Sequence, residues 1–456
     1  MTVGFIEEHE ITDGVGLCKM SAVHCNGKVI LIGYDYGITL FITEELYQQI
    51  ENDDISDDLL FKLIQHGLAY APEKNEILYP SKDVCPSFFI LELTNKCNFG
   101  CTYCFRDHAA AHESFANADS IDRTVKVISE YCRKRGKHSV NVQPWGGEPL
   151  LNLDGIVRIY EDFAKENIKC NITIMTNASL ITEKTAETLR RINADVGISI
   201  DGPEFIHNEQ RPYYNGKASF SDTVRGIENL KKAGFAGSLG TISVITKKSV
   251  HKVSEIIRYI ALELGISSIK LNIVRSSPDV SLSENEIALY CKSMLQTLIE
   301  LYNEGHTVVE GNVRNRLMNL IDRSNTNICD SFGCCGGYKM ISVDMNGNIF
   351  PCERTDDVSQ KFGSICDGKD IQDIVQDALK KHPYFTKKYS PECDNCPWWS
   401  YCQGGCTTAA QYYGSEKGCV DKLTCTLNRT LYPMLAELLL TQPDVAEILV
   451  GGKSDR

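Results

Sequence analysis

Cys97-Asn98-Phe99-Gly100-Cys101-Thr102-Tyr103-Cys104 places three thiols within eight residues, directly behind the short apolar run Phe88 to Leu93. A structural metal or a four-iron cluster takes four ligands. Three thiolates therefore define either a zinc site completed elsewhere or a cluster that keeps one iron for a small molecule. Packing as small hydrophobes fits isolated buried thiols, but here Asn98, Gly100 and Thr102 stand between them.

Working outward, the next 180 or so residues alternate strand and helix signals on the order of every ten residues. Strands are expected over Phe88 to Leu93, Val140 to Pro144, Asn171 to Met175, Val196 to Ile200, Leu239 to Ile245 and Ile269 to Val274. Helices are expected over Ser120 to Cys132, Asp154 to Glu166, Thr182 to Arg191, Ser221 to Ala233 and Val250 to Leu264. Such alternation predicts an α/β fold with a parallel sheet, open or closed into a barrel, and ligands at the carboxyl ends of the strands. Four consecutive strand ends carry the material for a site. The first is followed by the three-cysteine loop, the second by Gly146-Gly147-Glu148-Pro149, the third by Asn177, and the fourth by Ser199, Asp201 and Gly202. Gly146 and Gly147 permit close backbone approach, although a plain turn before a helix would also use them. Asn177 and Ser199 can donate to hydroxyls or a carboxylate. Asp201 can accept from a ribose or cap its own turn.

Residues 1–85 form a separate small α+β module. Ala22 to Gly33 and Thr39 to Phe41 read as strands around an Asn26-Gly27 turn, Thr43 opens an amphipathic helix, and Ser56 to His66 forms a second helix. The module can hold a peptide at a sheet edge or helix groove, or act as a structural cap. The barrel region spans 86–310, a cysteine-rich region 311–440 and a tail 441–456. The cysteine-rich region supplies Cys329, Cys334, Cys335, Cys352, Cys393, Cys396, Cys402, Cys406, Cys419 and Cys425, around a hairpin turned at Asp344 to Asn348 and a short helix from Asp370 to Leu379. These cysteines suffice for two four-thiolate sites, of iron-sulfur or zinc type, which would supply much of the region's folding energy. Cys18, Cys25, Cys85, Cys132, Cys170, Cys291 and Cys366 are expected to be packing or surface residues.

The 456 residues carry twenty cysteines and a formal net charge of -13. That charge gives no broad basic footprint for nucleic acid and no attraction to an anionic membrane. The sequence shows no apolar run of membrane-spanning length and no signal peptide, so a soluble, cytoplasmic protein is expected, in a reducing compartment where clustered thiols ligate metals.

With these motifs in place, the sequence resembles the radical S-adenosylmethionine enzymes that carry a C-terminal SPASM auxiliary-cluster domain, and among them the maturases of ribosomally made peptides. Cys97-x3-Cys101-x2-Cys104, with Tyr103 before the last cysteine, matches the family's cluster motif, and Gly146-Gly147-Glu148-Pro149 matches its methionyl-amine segment. Cys335 or Cys334, Gly347-x4-Cys352 and Cys393-x2-Cys396-x5-Cys402-x3-Cys406 match the auxiliary domain. The resemblance implies a partial (β/α)6 TIM-like barrel and three [4Fe-4S] clusters. The first is held by Cys97, Cys101 and Cys104 and binds S-adenosylmethionine (SAM), with Tyr103, Gly146, Gly147, Glu148, Asn177, Ser199, Asp201 and Arg211 as cofactor contacts. The second takes Cys329, Cys335, Cys352 and Cys406. The third takes Cys393, Cys396, Cys402 and Cys425, with Cys334 and Cys419 as competitors for one place in each set. It further implies a precursor peptide with a leader as substrate, an electron donor such as ferredoxin or flavodoxin, and thioether or carbon crosslinking as chemistry. The alternative within the family is formylglycine formation in a sulfatase. There an aspartate after the hairpin cysteine serves as base; here Glu353 stands in that place, before Arg354. The resemblance also permits small-molecule dehydrogenation; outside the family, a zinc-stabilised interaction protein is the remaining reading. Trp398-Trp399 and the loop Asp107 to Phe115 receive no role.

Overall fold

The computed structural model describes residues 2–12, 14–35, 37–71, 84–106, 114–275, 280–322, 329, 333–353, 358–381, 391–413 and 420–451. Its strands are β1 (Thr2–Ile6), β2 (His9–Thr12), β3 (Val15–Leu17), β4 (Met20–Cys25), β5 (Lys28–Gly33), β6 (Thr39–Thr43), β7 (Ala69–Tyr70), β8 (Phe88–Thr94), β9 (Ser139–Gly146), β10 (Lys169–Thr176), β11 (Asp195–Ser199), β12 (Gly240–Ile245), β13 (Ser268–Ile273), β14 (Val309–Glu310), β15 (Met340–Val343), β16 (Asn348–Phe350) and β17 (Gly363–Ser364). The chain divides into two compact units. One joins Met1–Ser81, Leu298–Cys334 and Lys388–Arg456; the other joins Lys82–Thr297 and Cys335–Lys387.

In the second unit β8 to β13 lie side by side in sequence order, and neighbours run parallel throughout. Their limits fall within two residues of the expected strands. The alternation of buried and half-buried positions along β9, β10 and β12 puts one apolar face of the sheet under the helices. β15 extends the sheet beyond β8 in parallel, and β16 and β17 follow antiparallel. The result is the expected mixed α/β core with a partial barrel. The crossover helices begin at side-chain caps: Asn117 for Ala118–Lys134, Asn152 for Leu153–Lys165 and Thr182 for Glu183–Arg191. Asn152 also donates to the carbonyls of Leu93 and Ala116, which ties the start of that helix to the end of β8.

Two expected helices are shorter than their apolar period. Phe220–Leu230 passes into a π turn over Lys231–Phe235, where Gly234 has φ 92° and its carbonyl accepts from Arg190. The segment from Val250 opens in a 3-10 turn, is α-helical only over Val253–Arg258, and again widens into a π turn. Hydrophobic spacing does not distinguish these windings, because all keep the same side chains inward.

Asp370, at the start of the helix Ile371–Lys381, is gripped by Arg135 at 2.8 Å and Lys134 at 3.1 Å. Burial works against its charge, but the Gln372 amide, Arg135 and Lys134 together hold the carboxyl below its ordinary range. A depressed carboxylate stabilises the fold above the unfolded pKa of about 3.9, and the contribution disappears as pH falls through the lower folded value. Asp370→Asn is expected to lower stability by about 1 kcal/mol at pH 7 and by nothing measurable near pH ~2. Thermal melts across that range check it.

The first unit holds two small antiparallel sheets, β1-β4-β5-β6 and β2-β3-β7. Leu17, Met20, Leu31 and Leu63, all fully buried, close its core beneath the helices Glu44–Glu51 and Asp57–Gln65. β1, β2 and β3 were not expected. They are short, β1 and β2 are largely exposed, and pairing with other strands, such as Thr2 opposite His24, is what makes them strands. In the same unit the helix Lys422–Thr441 carries the stack of Trp398 on Tyr432, with ring centroids 4.9 Å apart and planes inclined by 11°. Among the described residues no helix is long and apolar enough to cross a membrane.

Candidate active site

The three-cysteine loop leaves the end of β8 and is held by backbone groups from the next strands. The Thr94 carbonyl accepts from Gly147 at 3.2 Å, and the Lys96 carbonyl accepts from Glu148 at 2.8 Å. Further along, Gly100 donates to Pro212 and Thr102 to Gln210. These contacts explain both glycines after β9. Gly146 has φ 148°, and a Cβ there would lie 2.0 Å from the Thr94 oxygen. At Gly147 a Cβ would lie 2.1 Å from the Lys96 oxygen. Two peptide chains cross here with no room for any side chain.

Glu148 is buried, and its carboxylate accepts from the Thr176 hydroxyl at 2.7 Å, the Asn177 amide at 2.8 Å and the Leu150 amide at 3.1 Å. Burial pushes its pKa up to about 7 against those donors. Glu148 thus clamps the ends of β9 and β10 together. Asn177 donates to the Asn98 side chain at 2.8 Å and accepts from the Ser179 hydroxyl at 2.7 Å, while Asn98 donates back to Ser179 at 2.8 Å. Three side chains from two loops form a ring that fixes the cysteine loop from within. Asn98 and Ser179 are members that the sequence did not single out, since nothing in their spacing relates them.

A second network centres on Asp201, which is fully buried. It accepts from the Tyr103 hydroxyl at 2.8 Å, from Gln210 at 2.9 Å and from the Val244 amide at 2.9 Å, and its Oδ2 lies 3.0 Å from Nε of Arg211. The Arg211 guanidinium sits over the Tyr103 ring, 5.4 Å from its centroid. Burial raises Tyr103 well above its ordinary range, so it stays a neutral donor. His207, packed nearby, is kept neutral by burial, its pKa pushed down to about 4. Asp201 therefore orients Tyr103 and Arg211 instead of facing open space. Asp201→Asn leaves a buried guanidinium without its counter-charge, and a loss of about 3 kcal/mol is expected. A melt of the metal-free chain reads it, and Asn at this position is expected to bind SAM more weakly as well.

These networks surround a cavity of about 470 Å³. Cys97, Cys101 and Cys104 all line it, together with Gly147, Asn177, Ser199, Tyr103 and Arg211. Burial pushes the Cys101 thiol up to about 11 and raises Cys97 further, the latter aided by the Glu148 charge. Among the described residues no three Cys, His, Asp or Glu side chains already stand as a metal cage. The three soft donors on one wall, with a gap-free glycine crossing behind them and a buried cation at hand, nevertheless fit an iron-sulfur group that brings its own sulfides. Two further groups line the cavity: Arg106, paired with Glu92 at 2.6 Å, and Trp145. Nη1 of Arg106 and Nε1 of Trp145 are buried and have no acceptor among the described residues.

The remaining candidates are distributed over both units. Cys393, Cys396, Cys402 and Cys425 belong to one unit. Cys402 and Cys396 both act electrostatically on Cys425, burial pushes Cys402 up to about 12, and Arg429 is bonded to Cys396. Buried thiols of this kind beside a guanidinium suit a metal site, because ligation removes the protons and the cation offsets the charge. Cys329 and Cys406 lie in the same unit; Cys335 and Cys352 belong to the unit of the barrel. Glu353 follows Cys352 after β16 and is not among the residues lining the cavity. Arg354, Cys419 and most of the loop after Arg106 lie outside the described residues.

A parallel sheet with a CxxxCxxC loop at its carboxyl end and a double-glycine crossing beside it defines a radical SAM domain, and the Radical SAM superfamily model matches residues 91–260. The chain thus carries a radical SAM catalytic domain. It is 36% identical over 189 residues to an uncharacterized protein of Methanocaldococcus jannaschii, covering 41% of this chain and 62% of that protein, less than two thirds of its length. It is 26% identical to the radical SAM cyclopropyl synthase of Paramaledivibacter caminithermalis, over 76% of this chain and 73% of that enzyme. It is 25% identical to a cysteine-type anaerobic sulfatase-maturating enzyme of Clostridium perfringens, over 70% of this chain and 88% of that enzyme. In fold it is similar to anSMEcpe with bound AdoMet (TM-score 0.68, 20% identity, 80% of this chain and 98% of the other). It is also similar to Streptococcus suis SuiB bound to precursor peptide SuiA (TM-score 0.56, 16% identity, 91% and 99%).

Proposed function

We propose that this radical SAM enzyme oxidises a side chain of a peptide or protein, in the manner of a sulfatase maturase that converts cysteine or serine to formylglycine. The observation that carries this reading is the reach of the similarity. The Clostridium perfringens relative matches over 339 residues, 70% of this chain and 88% of that enzyme, well beyond the length of the 91–260 domain. Peptide crosslinking, which the small N-terminal module suggests, is the second reading; it is supported by the cyclopropyl synthase relative and by the 91% coverage of the SuiB-like fold.

When bound, a [4Fe-4S] cluster and SAM supply a 5'-deoxyadenosyl radical able to take hydrogen from a substrate carbon. Cys97, Cys101 and Cys104 would hold that cluster. Gly147, with Gly146 behind it, would admit the cofactor's amino end, Arg211 would meet its carboxylate, and Asn177 and Ser199 would pair with its ribose hydroxyls. Glu148 and Asp201 hold these groups in register. The N–H groups of Arg106 and Trp145 that have no acceptor among the described residues then serve the substrate. Because Glu92 already neutralises Arg106, the acceptor that fits is an uncharged amide carbonyl. Trp145→Phe is expected to leave peptide-free cleavage of SAM within about twofold of wild type, and to raise the peptide KM about tenfold, the cost of one unmade hydrogen bond. Two further clusters would be held in the cysteine-rich region and could accept the electron left after hydrogen abstraction, while a ferredoxin or flavodoxin would supply the electron that cleaves SAM.

Anaerobic reconstitution with iron and sulfide, reduction with SAM present, and a Cys-x-Pro-x-Arg peptide test the proposal. About three four-iron clusters per chain, 5'-deoxyadenosine, and a peptide aldehyde captured by a hydrazide are expected. Loss of two hydrogens from a ribosomal peptide encoded beside the gene, with no aldehyde, would favour crosslinking. Stoichiometric zinc without iron would overturn both readings.

A further inference from the structure

Tyr34, immediately after β5, donates its hydroxyl to the carbonyl of Cys393 at 2.8 Å. Its ring lies nearly parallel to that of Trp399, with centroids 6.5 Å apart and planes 23° apart, and the Lys19 ammonium lies over the Tyr34 ring, 4.8 Å from its centroid. Ser21 of β4 donates to the carbonyl of Pro397 at 3.4 Å. From the opposite side Tyr401 donates to the carbonyl of Gly37 at 3.1 Å, and a Cβ on Gly37 would lie 2.6 Å from the Tyr401 ring. Every one of these contacts lies within one compact unit. Apart from the Lys19 contact, all fall on the segment Cys393 to Cys402, which carries three of the four thiols of one candidate site.

We infer that the N-terminal module is a wall of the Cys393, Cys396, Cys402 and Cys425 site, with Tyr34 as its positioning residue. The inference rests on the proposed reading of those thiols as ligands of an auxiliary iron-sulfur cluster. The segment Pro391–Cys393 is a single 3-10 turn and Trp399–Cys402 barely one helical turn, so local structure alone does not hold the thiols in place. The Tyr34 bond fixes the peptide plane beyond Cys393, and the Trp399 stack fixes the next turn. Groups that orient a ligand in this way set both the affinity of a metal site and its electronic properties. A hydrogen bond drawn toward the ligand backbone also favours the electron-rich, reduced cluster. The module therefore has a task in the chemistry that does not depend on whether it also holds a peptide, and it accounts for Trp399 in the tryptophan pair.

The test uses the full chain, reconstituted anaerobically, with iron per chain, electron paramagnetic resonance and a redox titration as readouts. Cys393→Ser, expected to lose one cluster's share of the iron, establishes the site itself. Tyr34→Phe keeps the ring and removes the donor. It is expected to retain full iron, to shift the signal lost in the cysteine variant to lower potential, and to leave the SAM-binding cluster unchanged. Tyr34→Ala is expected to lose about a third of the iron, as one cluster of three. Tyr47→Phe, which removes a buried hydroxyl bonded to Glu51 elsewhere in the module, is the control and is expected to leave all signals in place. If the Tyr34 variants match wild type, or Tyr47→Phe moves the auxiliary signal equally, the inference is overturned. If Cys393→Ser loses no iron, the reading of the site as a cluster fails, and the inference falls with it.

Discussion

Cys101→Ala is expected to abolish formation of 5'-deoxyadenosine, by at least about a thousandfold, and to remove about one cluster's share of iron while the chain remains folded. The backbone around Cys101 is held independently of its sulfur: Gly100 donates to Pro212, Thr102 to Gln210, and Cys104 to the carbonyl of Cys101 itself. Removing one half-buried thiol costs about 1 kcal/mol of packing, too little to unfold the domain. With two donors left on the cavity wall, however, the cluster loses a corner that nothing else in the lining supplies, since Glu148 has committed both oxygens to β10 and the residues after it. Cys170→Ala is the contrast. It is a buried thiol on β10 whose raised pKa has burial as its one cause, and it is expected to keep full iron and activity. Iron analysis, a melt of the metal-free chain and product chromatography separate the two outcomes.

Gly147→Ala is expected to be nearly as damaging without touching a ligand. The new methyl would lie 2.1 Å from the oxygen and 2.3 Å from the carbon of Lys96, and 2.6 Å from the Cys97 nitrogen. All three are backbone atoms, so no rotamer can relieve the clash; the cysteine loop must move off β9. That movement breaks the Glu148 to Lys96 bond and displaces Cys97. Overpacking of this kind costs about 1–3 kcal/mol, and a loop shift on the order of 1 Å at a cofactor site is expected to lower SAM affinity and turnover by about a hundredfold or more. Gly237→Ala, where a Cβ meets nothing within 4 Å, is expected to behave as wild type. Equilibrium dialysis with SAM and the melting temperature of each variant check the comparison.

The six parallel strands and the helix between each pair were legible because their apolar periods are local and strong, and the parallel sheet follows from their alternation. The three-cysteine loop and the double glycine were legible for a different reason: their spacing is itself chemical. What each polar residue at the rim does was less so. Asp201 and Arg211 are ten residues apart in the sequence and give no sign of being a buried pair. The position of Arg211 follows from the turn after Glu204–Gln210, whose last residue also bonds Asp201. Arg106 and Trp145 were invisible as donors, since only the surrounding packing shows which N–H groups are left without acceptors.

Sequence alone therefore determined the domain's class, its three-cysteine loop and the abundance of thiols behind it, because motif spacing and hydrophobic period are properties of neighbouring residues. Tertiary structure decided the rest. It assigned Glu148 and Asp201 to holding the site together, joined Asn98 to Asn177 and Ser179, and set Tyr34 against Cys393, 359 residues away. Those relations depend on which distant segments share a boundary, and nothing in the pattern along the chain encodes them.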